Sequence, residues 1–307
     1  MEQTISRKEI CKISKIGLGT VQFGLDYGFT KKKSQGEVDE ILDFANRSGI
    51  TLIDTARSYG DSEEKIGKFI STNQNNFVIA TKLEKISYEE SQKKNLLKFK
   101  VYKSLEKSLQ SLKIKAIDIL QLHQTEGFVL DNPILWDILS EAKRDKLVKN
   151  IGISVYEEKE TLSAIEHFEE LIDFIQIPYN IFDRRFESIK HIFKEKNINV
   201  ISRSAFLKGV IACKEKDLPD ELLGLIPYKK ALLNYSNKLS IKVEELALLY
   251  IYKKEFINST ILGVNSVKEL EANIKTIEKY KEIAINSFPD IEVKDIELID
   301  PRKWTSI

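Results

Sequence analysis

Eight short runs of aliphatic and β-branched residues recur along this 307-residue chain, at 15–20, 51–54, 77–82, 117–122, 150–153, 173–177, 199–203 and 258–262. Most are apolar over several consecutive positions, as expected of strands covered by helices on one face and by a filled interior on the other. The intervals between them carry helical spacing. Val38, Ile41, Leu42 and Ala45 recur at three and four residues, and Gly49 follows where a left-handed residue ends a helix. Leu97, Val101, Leu105, Leu109 and Leu112 form a second stripe. Asn132 and Pro133 read as an N-cap and first helical residue, opening a helix with Leu135, Ile138, Leu139 and Ala142 on its inner face. Ser62, ahead of Glu63 and Glu64, reads as another cap, and Val243, Leu246, Ala247 and Tyr250 continue the pattern.

No Gly-, Pro- or Ser-rich linker interrupts the alternation, which predicts one α/β domain over 1–307, a closed (β/α)8 TIM barrel. Residues 1–14 are expected to cap the N-terminal end of the strands, 204–225 to form a loop over the other end, and 283–307 an irregular tail. A doubly wound open sheet is the alternative topology for the same alternation.

Composition removes several function classes. Basic and acidic residues number 48 and 47, so no net field favours nucleic acid or an anionic membrane. Apolar runs fall short of the roughly 20 residues of a membrane span, and the N-terminal sequence lacks the apolar core of a secretion signal. Two cysteines, Cys11 and Cys213, cannot form a disulfide framework and are read as small packing residues. The expectation is a soluble cytoplasmic protein. His167 and His191 have no companions at metal-ligand spacing, so no metal site is predicted.

Four polar residues stand at or just past the ends of successive runs: Asp54 and Tyr59 in IDTARSYG, Lys82 in ATKL and His123 in QLHQ. Singly, each reads more simply as a strand-end cap, a turn aromatic, a surface lysine or a core histidine. Together they suit proton transfer at a carbonyl oxygen. A phenol has a pKa near 10, too high to share its proton readily at neutral pH, and an adjacent ammonium would lower it. Asp54 would keep that ammonium charged, and His123 would supply a further donor or share the proton transfer.

These residues and their surroundings resemble the aldo-keto reductase superfamily. The resemblance spans nearly the whole chain in GLGTVQFG (17–24), IDTARSYG (53–60), ATKL (80–83), SLQSLKIKAIDILQLHQ (108–124), IGISVY (151–156), QIPYN (176–180), SRSAFLKG (202–209) and LGVNSVKELEAN (262–273). It implies a (β/α)8 barrel that transfers a hydride from NADPH, with NADH as the alternative, to an aldehyde or ketone. Tyr59 would be the general acid, tuned by Lys82 and Asp54 and assisted by His123. Cofactor contacts would fall on Thr20, Ser154 and Gln176, on Arg203, Ser204, Phe206 and Gly209 around the diphosphate, and on Gly263, Ser266, Lys268 and Asn273 around the adenosine. Phe23, Tyr27, Tyr156 and Trp304 are candidate substrate walls. The partner is then a small carbonyl compound, a sugar being one guess, and family habit favours a monomer.

Three positions depart from the family pattern. Val155 follows Ser154 where relatives carry asparagine, Arg203 stands where an aromatic ring commonly meets the nicotinamide, and Glu269 replaces an arginine, which would repel a 2′-phosphate. Two rival readings remain open at this point: a nucleotide-binding regulatory subunit with the same barrel, and an isomerase or aldolase using Lys82 as a Schiff-base amine.

Overall fold

A computed structural model describes residues 11–26, 31–282 and 288–305. Eight parallel strands, β1 (Ile16–Gly19), β2 (Leu52–Asp54), β3 (Val78–Lys82), β4 (Ile117–Leu122), β5 (Val148–Ser154), β6 (Phe174–Pro178), β7 (Asn199–Arg203) and β8 (Ser259–Gly263), form a closed barrel in chain order. Closure is made by β1 pairing with β8, from Ile16 opposite Thr260 to Gly19 opposite Gly263, which rules out the open sheet. The described elements thus form the expected (β/α)8 barrel.

The outer ring is α1 (Gln35–Arg47), α2 (Ser62–Thr72), α3 (Lys94–Leu112), α4 (Pro133–Arg144), α5 (Glu158–Phe168), α6 (Lys190–Glu195), α7 (Val243–Tyr252) and α8 (Val267–Tyr280). Their inner faces are the predicted stripes, and Val38, Ile41, Leu42, Ala45, Leu97, Val101, Leu105 and Leu135 are all buried. Gly49 has φ +75°, and Asn132 accepts bonds from the amides of Ile134 and Leu135. Ser62 departs from its predicted role. The N-cap of α2 is Asp61, while the Ser62 hydroxyl, itself fully buried, turns inward to Thr20 and finds its hydrogen-bond partner at the top of β1. The 204–225 segment is not bare loop, since it contains 3₁₀ turns at Leu207–Gly209, Glu215–Asp217 and Asp220–Leu225.

Two-residue periodicity sorts the strand side chains. Leu52, Ala80, Ile119, Phe174, Ile201 and Ile261 pack together inside the barrel, with Cys11 and Ile13 against them. Residues two further on, toward the strand C-termini, share that inward direction and are polar: Asp54, Lys82, Gln121 and Gln176, and likewise Arg203. An apolar floor under a polar upper layer leaves the strand C-termini as the face able to do chemistry.

Candidate active site

Asp54 and Lys82 end adjacent strands and meet as a buried pair. The Lys82 Nζ lies 2.8 Å from both Asp54 carboxylate oxygens and 2.9 Å from the Thr55 carbonyl, so its three protons are all engaged. It reaches Tyr59 through charge rather than a hydrogen bond, standing 5.1 Å from the centre of the tyrosine ring. The imidazole of His123, one residue beyond β4, approaches the same ring edge-on, centroids 6.4 Å apart at 84°. All four predicted residues are therefore brought together.

The Tyr59 turn is held by a backbone contact between two glycines. Gly60 has φ +56°, and a Cβ there would lie 2.4 Å from the Gly24 carbonyl; one on Gly24 would overlap the Tyr59 carbonyl at 1.6 Å. Glycines in GLGTVQFG and RSYG thus seat the phenol from two loops at once.

Burial, the largest influence, pushes the Tyr59 phenol above its ordinary value, Lys82 and Arg203 pull it back, and Asp54 adds to the rise. The unusually acidic phenol expected from the neighbouring ammonium is thus not what the fold produces, because desolvation outweighs the charge. Burial also works to discharge Lys82, but Asp54 more than compensates and holds the ammonium above its ordinary value. His123 is pushed down to about 3, by burial first and then by the positive charges of Lys82, Arg203 and Lys85. It is a neutral imidazole across the working range.

That depression carries a stability consequence. The unfolded chain takes up the His123 proton near pH 6.5 while the folded one resists to about 3, so this contribution is complete above 6.5 and is lost as pH falls between those values. The slope is at most about 1.4 kcal/mol per pH unit, or about 3 kcal/mol by about pH 4. Urea unfolding of wild type and His123→Gln from neutral to mildly acid pH should show a shallower loss in the variant.

Gln176 and Ser154 adjoin the pair. Gln176 donates to Asp54 Oδ1 at 2.8 Å and accepts from the Ser154 hydroxyl at 3.3 Å, joining the two predicted carboxamide-binding residues to the acidic end of the set. At the end of β7, Ser204, Leu207, Lys208 and Gly209 all have positive φ, and the amides of Ala205 and Phe206 have no acceptor among the described residues. This turn forms a backbone concavity suited to an anion. Gly263 is exposed and faces Gln22; Ser266 caps α8, Lys268 is exposed, and Asn273 is half-buried within α8.

Other predicted positions fall elsewhere. Thr20 is fully buried, its hydroxyl donating to the Asp54 carbonyl and bonded to Ser62, so it braces β1 against β2 rather than facing a ligand. Phe23 is fully buried in the main core and is no pocket wall, because the helical turn after β1 points it beneath the loops. Tyr27 lies outside the described residues. Trp304 is nearly buried, its indole donating to the Glu297 carbonyl, whereas Tyr156 stands at the mouth between Arg203 and Arg302. The sequence reading missed Gln121, a fully buried amide beside Lys82 whose inward parity was its only signal, and Arg302, which had none. A groove of about 680 Å³ lies outside the barrel wall between α6 and α7, lined by Glu187, Lys194, Lys254 and Phe256, and includes none of these residues. The site is therefore assigned by its chemistry rather than by the size of a cavity.

Comparison with known proteins bears on the family to which the barrel belongs. Residues 15–295 match the model of the aldo/keto reductase family. Among curated relatives, an uncharacterized oxidoreductase of Bacillus subtilis is 27% identical, with 86% of this chain and 87% of that protein aligned. L-galactose dehydrogenase of Arabidopsis thaliana is 25% identical, at 96% and 94% coverage. Among solved structures, an aldo-keto reductase from Bacillus halodurans in its holo form superposes with a TM-score of 0.70 at 23% identity, covering 87% of each chain. With its closed barrel and a family match over most of its length, the chain belongs to the aldo/keto reductase family of oxidoreductases.

Proposed function

We propose that this protein reduces an aldehyde or ketone to an alcohol with a nicotinamide cofactor, Tyr59 giving the proton. The observation that carries the reading is the buried Asp54–Lys82 pair held against the Tyr59 ring with a neutral His123 at its edge. The cofactor fits the residues present: the Ser154–Gln176 pair is able to hold a carboxamide, and the turn after β7 offers two free backbone amides to a diphosphate. When bound, a reduced nicotinamide supplies a hydride to the carbonyl carbon.

The protein's own work is placement and charge. His123, neutral, donates a hydrogen bond to the carbonyl oxygen. Tyr59 keeps its proton until negative charge develops on that oxygen, then transfers it, so that hydride at carbon and proton at oxygen complete the alcohol. Lys82 stabilises the phenolate left behind, which is reprotonated from water at the mouth. A Schiff-base role for Lys82 is disfavoured, because its nitrogen is charged and fully hydrogen-bonded. The sugar name of one relative supports a sugar-type carbonyl as a starting point. A carbonyl panel followed by loss of reduced-nicotinamide absorbance tests the reading; binding of cofactor without turnover across the panel would instead favour the regulatory subunit.

A charge at the start of α8 bears on cofactor choice. Glu269 accepts from the Asn265 amide at 2.8 Å, and by the family resemblance its carboxylate falls where an arginine would meet a 2′-phosphate. Lys268 alongside is exposed and carries the compensating charge. Glu269→Gln is expected to raise the NADPH-to-NADH ratio of kcat/KM by about fivefold at low salt, shrinking as salt is added. Steady-state kinetics with both cofactors would show it, and an unchanged ratio would place the phosphate elsewhere.

A further inference from the structure

Three arginines converge on one tyrosine at the barrel mouth. Tyr156, just past β5, has the Arg203 guanidinium 4.0 Å from its ring centre and that of Arg302, from the tail, at 3.5 Å. Arg185 donates to the Tyr156 carbonyl at 3.0 Å. Two of the three charges are already answered, Arg185 by Asp183 through a pair of bonds at 2.8 and 2.9 Å, and Arg302 by Asp300 at 2.6 Å. Arg203 has no carboxylate partner among the described residues. One of its five N–H groups donates to the Val155 carbonyl at 3.0 Å, and one face is taken by Tyr156, while its other donors have no hydrogen bond among the described residues.

We infer that the physiological substrate carries an anionic group, a carboxylate or phosphate close to its reactive carbonyl, and that Arg203 binds it as a specificity-determining residue, its guanidinium fixed by stacking in the Arg203–Tyr156–Arg302 column. The inference rests on the carbonyl-reductase reading and narrows its substrate class. The Asp183 carboxylate acts on Arg203 only at a distance, both of its oxygens being bonded to Arg185, and a half-buried planar fork with unbonded donors matches an oxyanion in two-point contact. Arg203 leans across β6 to the end of β5, beside the Ser154–Gln176 pair, so a cofactor titration is what separates a substrate role from a nucleotide role. Its charge is also felt by Tyr59 and His123, the two groups that flank the reacting oxygen.

Matched aldehydes test the inference, 4-carboxybenzaldehyde against its neutral carboxamide and D-glucuronate against D-glucose, with wild type, Arg203→Met and Arg203→Lys. Wild type is expected to favour the acidic member of each pair by about tenfold or more in kcat/KM. Arg203→Met should bring the ratio to within about threefold, and Arg203→Lys should keep an intermediate preference, since charge survives but the fork does not. Using a ratio within one variant cancels any change in cofactor affinity, which a fluorescence titration with NADPH and NADH measures separately. Turnover without acid preference in wild type overturns the inference and leaves carbonyl reduction standing; no turnover of any carbonyl overturns the reductase reading itself. A ratio unmoved in Arg203→Met while the cofactor Kd rises assigns the guanidinium to the nucleotide and also overturns it. The wild-type ratio remains decisive even if a variant fails to fold.

Discussion

Replacing Tyr59 with Phe is expected to lower kcat for carbonyl reduction by about 10³ while moving the cofactor Kd by less than about twofold. The ring keeps its place against Lys82 and the Gly24–Gly60 contact, because only the hydroxyl is removed, so the loss reports the proton and not the packing. The wild-type pH profile follows from the same residues. Tyr59 and Lys82 are both held above their ordinary values of 10.0 and 10.5, so the donor stays protonated through neutral pH and the rate falls only on the alkaline side. His123, at about 3, adds no limb near pH 6.5. Stopped-flow turnover of a good aldehyde and a fluorescence titration of cofactor make the comparison. Full turnover in Tyr59→Phe would remove the phenol from the mechanism.

The second large effect is expected at Lys82. Lys82→Met should abolish most turnover and also cost about 3–5 kcal/mol of stability, because Asp54 is left as a buried carboxylate with Gln176 as its remaining side-chain donor. The double variant Asp54→Asn, Lys82→Met should regain much of the stability and none of the activity, since two neutral side chains need no counter-charge yet give the phenolate no support. Above its ordinary value, Lys82 contributes its stabilisation fully below pH 10.5 and loses it only as pH rises beyond that, so the measurement belongs at neutral pH. Chemical denaturation of the four proteins of the cycle gives the coupling. Additive losses would show that the pair does not act as a unit.

Much of the fold was written in local periodicity. Strand ends were legible to within two residues because β-branched runs and helical stripes report burial directly, and Asn132 and Gly49 announced their caps by residue type. Ser62 misled for a physical reason: a serine ahead of glutamates is as good a cap as Asp61, and nothing local says that Thr20 lies overhead. Thr20 and Phe23 misled likewise, since residues after a strand end can point to solvent or into the core, and loop packing decides which.

What the sequence by itself determined was the kind of element each segment forms and which side chains share a face, since both depend on neighbours a few residues away. What only the tertiary structure decided was distance and burial. Lys82 meets Asp54 across 28 residues and Gln176 meets it across 122, separations erased by closure of the barrel. The direction of the Tyr59 shift, the neutrality of His123 and the convergence of Arg203 and Arg302 on Tyr156 all follow from charges acting through a few ångströms of poorly polarisable interior. Coulomb interactions and desolvation depend on separation in space and exclusion of water, and sequence spacing encodes neither until the fold is complete.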